Sequence, residues 1–404
     1  MGLWAVLTFL LWQNPDYLEQ GRKALEARQN EQAAELFRKA VAADDKDYAA
    51  HFHLGLAESL LQHDPEAITE FERTLALKPG LYQAELNLGM LLFRDKREAD
   101  AVPHLQNAVS QKPGEFRPNY YLGESLLKTG KPDEAQPYFE AALKINEKSA
   151  PAELGLARSL LARNQLPESE PHFRKAAELD PDFRDALLEL AAAEEKSGRP
   201  KEAIAIYQQF PANAGAQERL GELLIEDKQF AEAIPRLEKA VAESPTVANR
   251  LALATAYRMN KQPDKQDEQL QKAVATDSAN YELRMILGRA LRDERKLAPA
   301  SAEFYAAAKL KPESVEAWNE LASALIVNEN YEQGLAALDR VRQLGKETPG
   351  NRYFRAITLD KLHQLPQALA SYKEFLATSE GKFPDQEFAA RQRIRIIEKE
   401  MSKR

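Results

Sequence analysis

Residues 120–147 read YYLGESLLKTGKPDEAQPYFEAALKINE, and the order of small and large side chains in this stretch decides the fold. Gly123 is followed twelve residues later by Ala135, then by Phe139 and Ala142. Two helices explain the spacing. Small residues at Gly123 and Ala135 let two backbones approach, while Tyr120, Leu126, Phe139 and Leu143 fill the space around that contact. Lys131-Pro132-Asp133 supplies the turn between them.

The same template recurs along the chain. Its first small position falls at Gly21, Gly55, Gly89, Gly123, Ala157, Ala191, Gly221, Ala254, Gly288, Ala322 and Ala356, with intervals of 34 residues broken only by one of 30 and one of 33. We call this residue the anchor of each repeat. Twelve residues on, the side chain is small in every repeat but the eighth, which has Gln266. Four residues further it is always large: Phe37, Phe71, Leu105, Phe139, Phe173, Tyr207, Leu237, Leu270, Phe304, Leu338 and Tyr372.

A 34-residue helix-turn-helix with this small, small, aromatic order, closed by Pro79, Pro113, Pro181, Pro245 and Pro312, resembles the tetratricopeptide repeat family. The resemblance covers residues 15 to 380; the family's Trp near the start of a repeat appears only as Trp318, and repeats six and eight are degenerate. It implies an all-α, right-handed superhelical solenoid of about eleven helix pairs, whose first helices line a concave groove. The expected organisation is an apolar segment at 1–14, repeats one to six over 15–211, repeats seven to eleven over 212–380, and a C-terminal capping helix within 381–404.

A short repeat replaces the usual expectation of two or three globular domains for 404 residues with one elongated array. A net charge of -8 argues against a binder of phosphate backbones, so no nucleic acid is expected. The absence of cysteine removes disulfides, thiolate zinc sites and thiol nucleophiles.

Residues 2–12, from Gly2 to Trp12, are apolar and uncharged but reach only about 16 Å as a helix, too short for roughly 30 Å of hydrocarbon. The length suits the core of an export signal, yet the positive flank and a cleavage site are missing. A helix packed on the first repeat and an interfacial anchor flanked by Trp4 and Trp12 are the other readings, and the last would allow membrane association. The compartment stays open: exported if this segment is a signal, cytoplasmic otherwise.

Pro103, Pro137, Pro171 and Pro235 recur two residues after the second small position and are expected in the first turns of second helices. Repeat six stops early at Gln209–Gly215, which predicts a truncated second helix and either a kink or a deletion absorbed in place. Arg391–Met401 is expected to form the closing helix, with Ala390, Ile394, Ile397 and Met401 on one face and Arg391, Arg393, Arg395, Glu398 and Lys399 outside.

Nearly every residue is used by the repeat, which leaves no spare catalytic domain. His51 and His53 lie two apart and so point different ways on a helix, and Gly130-Lys131 and Gly345-Lys346 are loop glycines rather than phosphate loops. No catalytic residue, cofactor or metal is expected.

The resemblance implies that side chains three before, one after and four after each anchor face the groove. Repeats two to four then offer Phe52, Leu56, Leu86, Met90, Phe93 and Tyr120, an apolar strip that either receives a partner or packs on the neighbouring repeat. Repeats eight and nine offer Thr255, Arg258, Met285, Arg289 and Arg292, three guanidiniums that hold an anion unless Asp293 and Glu294 neutralise them.

The lysine and asparagine pair of repeats that hold chaperone tails is absent, and of the asparagine ladder of sugar-transferring relatives only Asn87 is present. The expectation is a non-enzymatic scaffold that binds a protein or peptide in its groove, serving assembly of a bacterial envelope or secretion complex if the chain is exported. The alternatives are an RNA-binding helical repeat, an enzyme with a site between repeats, and self-association; oligomeric state is open.

Overall fold

A computed structural model describes residues 16–402. The apolar run at 2–12, and with it the export, anchor and packing alternatives, lies outside the described residues.

Among the described residues every regular element is a helix. Repeat one is α1 (Tyr17–Glu26) and α2 (Asn30–Ala43), repeat two α3 (Tyr48–Leu60) and α4 (Asp64–Leu77), repeat three α5 (Tyr82–Arg94) and α6 (Glu98–Gln111). Repeat four is α7 (Phe116–Lys128) and α8 (Pro132–Ile145), and repeat five α9 (Ala150–Ala162) and α10 (Leu166–Leu179). After a 3-10 turn at Pro181–Phe183, repeat six is α11 (Ala186–Lys196) and α12 (Pro200–Tyr207).

Repeat seven is α13 (Ala214–Glu226) and α14 (Phe230–Glu243), and repeat eight α15 (Val247–Met259) and α16 (Pro263–Thr276). Repeat nine is α17 (Tyr281–Asp293) and α18 (Leu297–Leu310), repeat ten α19 (Val315–Val327) and α20 (Tyr331–Gln343), and repeat eleven α21 (Pro349–Lys361) and α22 (Leu365–Ser379). The last helix is α23 (Pro384–Met401). The chain forms two compact units, the first ending at Ala203 and the second beginning at Ile204, each an α-solenoid of packed helix pairs.

First and second helices begin differently. Most first helices take a side-chain cap: Asp47 accepts from the Ala49 amide at 2.8 Å, Ser314 from Ala317 at 3.2 Å, and Thr348 forms a capping box with Asn351. Second helices instead follow a tight turn in which the residue seven after the anchor is left-handed, from Arg28 (φ 57) through Gly130 (φ 76) to His363 (φ 55). The next amide closes a six-residue ring, as in Gln29 N to Ala24 O at 2.9 Å and Gln364 N to Leu359 O at 2.9 Å. Only Gly130 and Gly198 carry glycine at that position; nine repeats put a side chain there.

Within each pair the anchor meets the large residue sixteen positions on. A Cβ added at Gly123 would lie 3.0 Å from the Phe139 ring, and one at Gly288 2.6 Å from that of Phe304. Phe37, Phe71, Phe139, Phe173 and Phe304 are fully buried, each in the core of its own repeat.

The truncated helix of repeat six is present as α12, with 8 residues against 14 in α10. Two expectations are corrected. Pro103, Pro137, Pro171 and Pro235 are each the sixth residue of their helix, inside it and not in the first turn. They are tolerated because the carbonyls they leave unbonded, at Ala99, Asp133, Pro167 and Ala231, belong to exposed residues that water reaches.

The closing helix starts at Pro384, and Arg393 turns inward: its Nε and Nη2 donate to Asp360 at 2.5 and 2.8 Å. Ala390 and Ile397 are buried as expected, whereas Met401 is exposed. No helix among the described residues is long and apolar enough to cross a membrane.

Candidate functional site

On the first helices of repeats two to four, residues that one offset rule grouped together separate into two sets. Phe52 packs edge-on against Phe71 of its own second helix at 5.8 Å, and Tyr120 does the same against Phe139 at 6.4 Å while stacking on Phe116 at 5.7 Å. Leu56 and Leu86 are half-buried against the same core. Burial and the neighbouring Glu124 carboxylate hold the Tyr120 phenol well above its ordinary pKa, as expected of a hydroxyl leaving water.

Met90 and Phe93 instead share a hollow of about 250 Å³ with Ser59, Asn87, Leu91, Arg94 and Tyr121. Tyr121 meets Phe93 edge-on at 5.5 Å, and the Lys128 ammonium stands 4.6 Å above the Phe93 ring. Arg94 is held by Asp64, Nε to Oδ2 at 2.5 Å. The hollow is therefore an apolar floor inside a charged rim, which suits one apolar side chain of a bound segment. Asn87 and Tyr121 sit two before their anchors, an offset the sequence rule passed over.

Further along the groove face, Glu124 is raised above the usual carboxylate range because burial outweighs the nearby Arg158 and Lys128 cations. Arg158 is itself clamped by Glu189, Nε to Oε2 at 2.9 Å.

In the second unit, Thr255, Arg258, Arg289 and Arg292 line one hollow of about 450 Å³ with Ile286. Met285, given by the same offsets, is a core residue 1% exposed. Arg289 is bonded to Glu316, and its Nε lies 3.5 Å from Glu320. Arg292 is bonded to Glu320 and reaches Asp293 at 2.9 Å. The neutralising carboxylates thus come from Asp293 and from α19 of the next repeat, while Glu294 pairs with Lys296 at 2.7 Å. Arg258 is exposed and has no carboxylate within 4.0 Å among the described residues, which leaves one guanidinium open to a partner.

Four of the six histidines are engaged by neighbouring carboxylates. His51, His104 and His172 bond Glu70, Glu85 and Glu153, each at 2.6 Å, and His63 bonds Glu58 at 2.9 Å. Among the described residues no group of three His, Asp or Glu side chains stands in a metal-holding arrangement.

A sequence profile described as tetratricopeptide repeat matches residues 18–81, 65–116, 154–218 and 287–351, and a second with the same description matches 126–171. Solved structures titled MamA overlap part of the chain. One from AMB-1 is 29% identical with a TM-score of 0.39, covering 41% of this chain and 96% of its own. One from MSR-1 is 26% identical with a TM-score of 0.38, covering 41% and 95%. At these scores they add no argument to the fold. No curated protein matches the chain.

Proposed function

We propose that this chain, which belongs to the tetratricopeptide repeat family, is a non-enzymatic scaffold that seats a segment of a partner protein along its first helices. The observation that carries this reading is the hollow at Met90 and Phe93, an apolar recess on the first helices rimmed by Lys128 and the Arg94–Asp64 pair. It takes one apolar anchor. In the second unit the open Arg258 takes an acidic side chain, while Arg289 and Arg292 stay with their carboxylates. The finer reading, a part in assembling an envelope or secretion complex, rests on residues 2–12 alone, and the compartment of the partner tests it.

The test is capture from lysate by the full chain, beside a Met90→Glu, Arg258→Glu variant whose far-UV circular dichroism matches the parent. A protein held by the parent and reduced tenfold or more by the variant supports the groove. Equal capture by both rejects these residues as the binding surface.

A further inference from the structure

The residue fifteen after the anchor is large in the first nine repeats: Leu36, Glu70, His104, Tyr138, His172, Ile206, Arg236, Gln269 and Glu303. In five of them it clasps the residue four before the anchor. The pairs are His51–Glu70, Glu85–His104 and Glu153–His172 at 2.6 Å, Arg284–Glu303 at 2.8 Å and Arg250–Gln269 at 3.3 Å.

Repeat ten has Trp318 and Ala337 at these two positions. The Trp318 indole N–H donates to the Pro312 carbonyl at 2.9 Å, and the methyl of Ala337 is too short to reach across. Ser301 and Ala302 on α18 are small as well. What results is a cavity of about 630 Å³ between α18 and α20, floored by Leu321 and Leu325 of α19 and walled by Trp318 and Tyr305.

Its charge is one-sided. Arg340 is the only charged side chain in the lining; it donates to Gln343 at 3.1 Å and has no carboxylate within 4.0 Å among the described residues. The Lys309 ammonium lies 4.5 Å over the ring of Tyr305, again without a carboxylate partner among them. An apolar recess of a few hundred Å³ with one or two placed polar groups is the usual form of a small-molecule site. A guanidinium without a carboxylate partner at its edge favours a carboxylate, which it can hold through two parallel bonds.

We propose that this cavity binds an amphipathic carboxylate of the fatty-acid class. The apolar body lies against Trp318, Leu321 and Leu325, and the carboxylate sits on Arg340. This site shares no residue with the hollows at Met90 and at Arg258, so the two readings stand or fall independently.

The chain has 3 tryptophans. A full-length Trp4→Phe, Trp12→Phe protein therefore reports on Trp318 alone, and it is titrated with decanoate and with decanol below their self-association limits. The expected result is a saturable change in Trp318 emission with decanoate. The affinity is at least tenfold weaker for decanol and for decanoate added to Arg340→Gln. Ala337→Leu restores a large side chain where the first nine repeats have one, and removes the binding. Should that variant fail to fold, Ala336→Phe, at an exposed position on the cavity wall, closes the mouth and gives the same loss. A linear, unsaturable response, equal affinity for decanol and decanoate, or unchanged binding by the folded filled variants overturns the proposal. An emission change only on addition of a captured partner protein assigns the recess to a protein side chain and also rejects it.

Discussion

Gly155→Ala is the sharpest perturbation of the packing. Gly155 lies on α9, and the fully buried ring of Phe139 is gripped between it and Gly123. A methyl at Gly155 would stand 2.3 Å from Phe139 Cε1 and 2.5 Å from Cζ, and the ring that must give way is fully buried and packed under the Gly123 backbone of its own repeat. Overpacking costs about 1–3 kcal/mol, and a contact this short falls at the upper end, about 2–3 kcal/mol. The helix gains about 1 kcal/mol from alanine over glycine, which offsets only part of a clash this close.

The expected net loss is ~1–2 kcal/mol, or roughly 5–30-fold faster exchange of amides in α8 and α9. Hydrogen exchange read by mass spectrometry is the assay, since an array of repeats does not unfold as one two-state unit. Gly215→Ala is the control: its nearest neighbour is Asn213 Oδ1 at 3.5 Å, so only the helix gain of about 0.4–1 kcal/mol remains. Phe139→Leu should relieve Gly155→Ala with a coupling of ~1 kcal/mol or more, because Leu105 and Leu237 already fill this position below Gly89 and Gly221. Unchanged exchange in Gly155→Ala, or purely additive losses in the double variant, would refute this packing argument.

Three further outcomes are expected. Gly130→Ala should destabilise repeat four by about 1 kcal/mol, and Lys96→Gly should leave repeat three equal or more stable, because both positions are left-handed (φ 76 and φ 60); hydrogen exchange of the amides in α7 and α8, and in α5 and α6, checks the signs. The clasp of repeat two runs in the opposite order to that of repeat three, so Glu85→His with His104→Glu should exchange amides in α5 and α6 at the parental rate, while either single change should cost ~1–3 kcal/mol. His53, stacked on Phe37 at 5.4 Å with an unbonded Nδ1, has its pKa lowered from 6.5 by burial and then by Arg22, with Asp47 opposing. The unfolded chain therefore takes the proton first; the stability is complete above pH 6.5 and falls as pH drops through that value, and exchange in α3 should show this loss in the parent but not in His53→Phe.

The anchors and the large residues sixteen positions on are legible because their chemistry is fixed by one close contact: a Cβ added at Gly123 would already lie 3.0 Å from the ring of Phe139. The left-handed turn residues are not, since Arg28, Gln62 and Lys96 carry no turn signature and their conformation is set by the backbone ring that closes the first helix. The start of each second helix is obscured for the same reason, so the spacing points to the first turn for Pro103 and its equivalents although each is the sixth residue of its helix. In the groove, a single set of offsets could not separate Phe52 and Tyr120 from Met90 and Phe93. At 100° per residue, the position three before the anchor sits at the border between core and groove, and the size of the local side chain decides which way it turns. The arginines of repeat nine can be read from the sequence, but their partners Glu316 and Glu320 stand a repeat away, and only the stacking of repeat ten on repeat nine brings them together.

The central claim is that a partner lies along the first helices, and zero-length evidence of contact tests it most directly. A photoreactive phenylalanine analogue is placed at Met90 in one protein and at the exposed second-helix residue Thr69 in another, and each is irradiated with the lysate from which partners are captured. The account predicts one adduct of defined mass at Met90 and none at Thr69. Adducts at Thr69 with none at Met90 would contradict it and move the binding surface to the second helices.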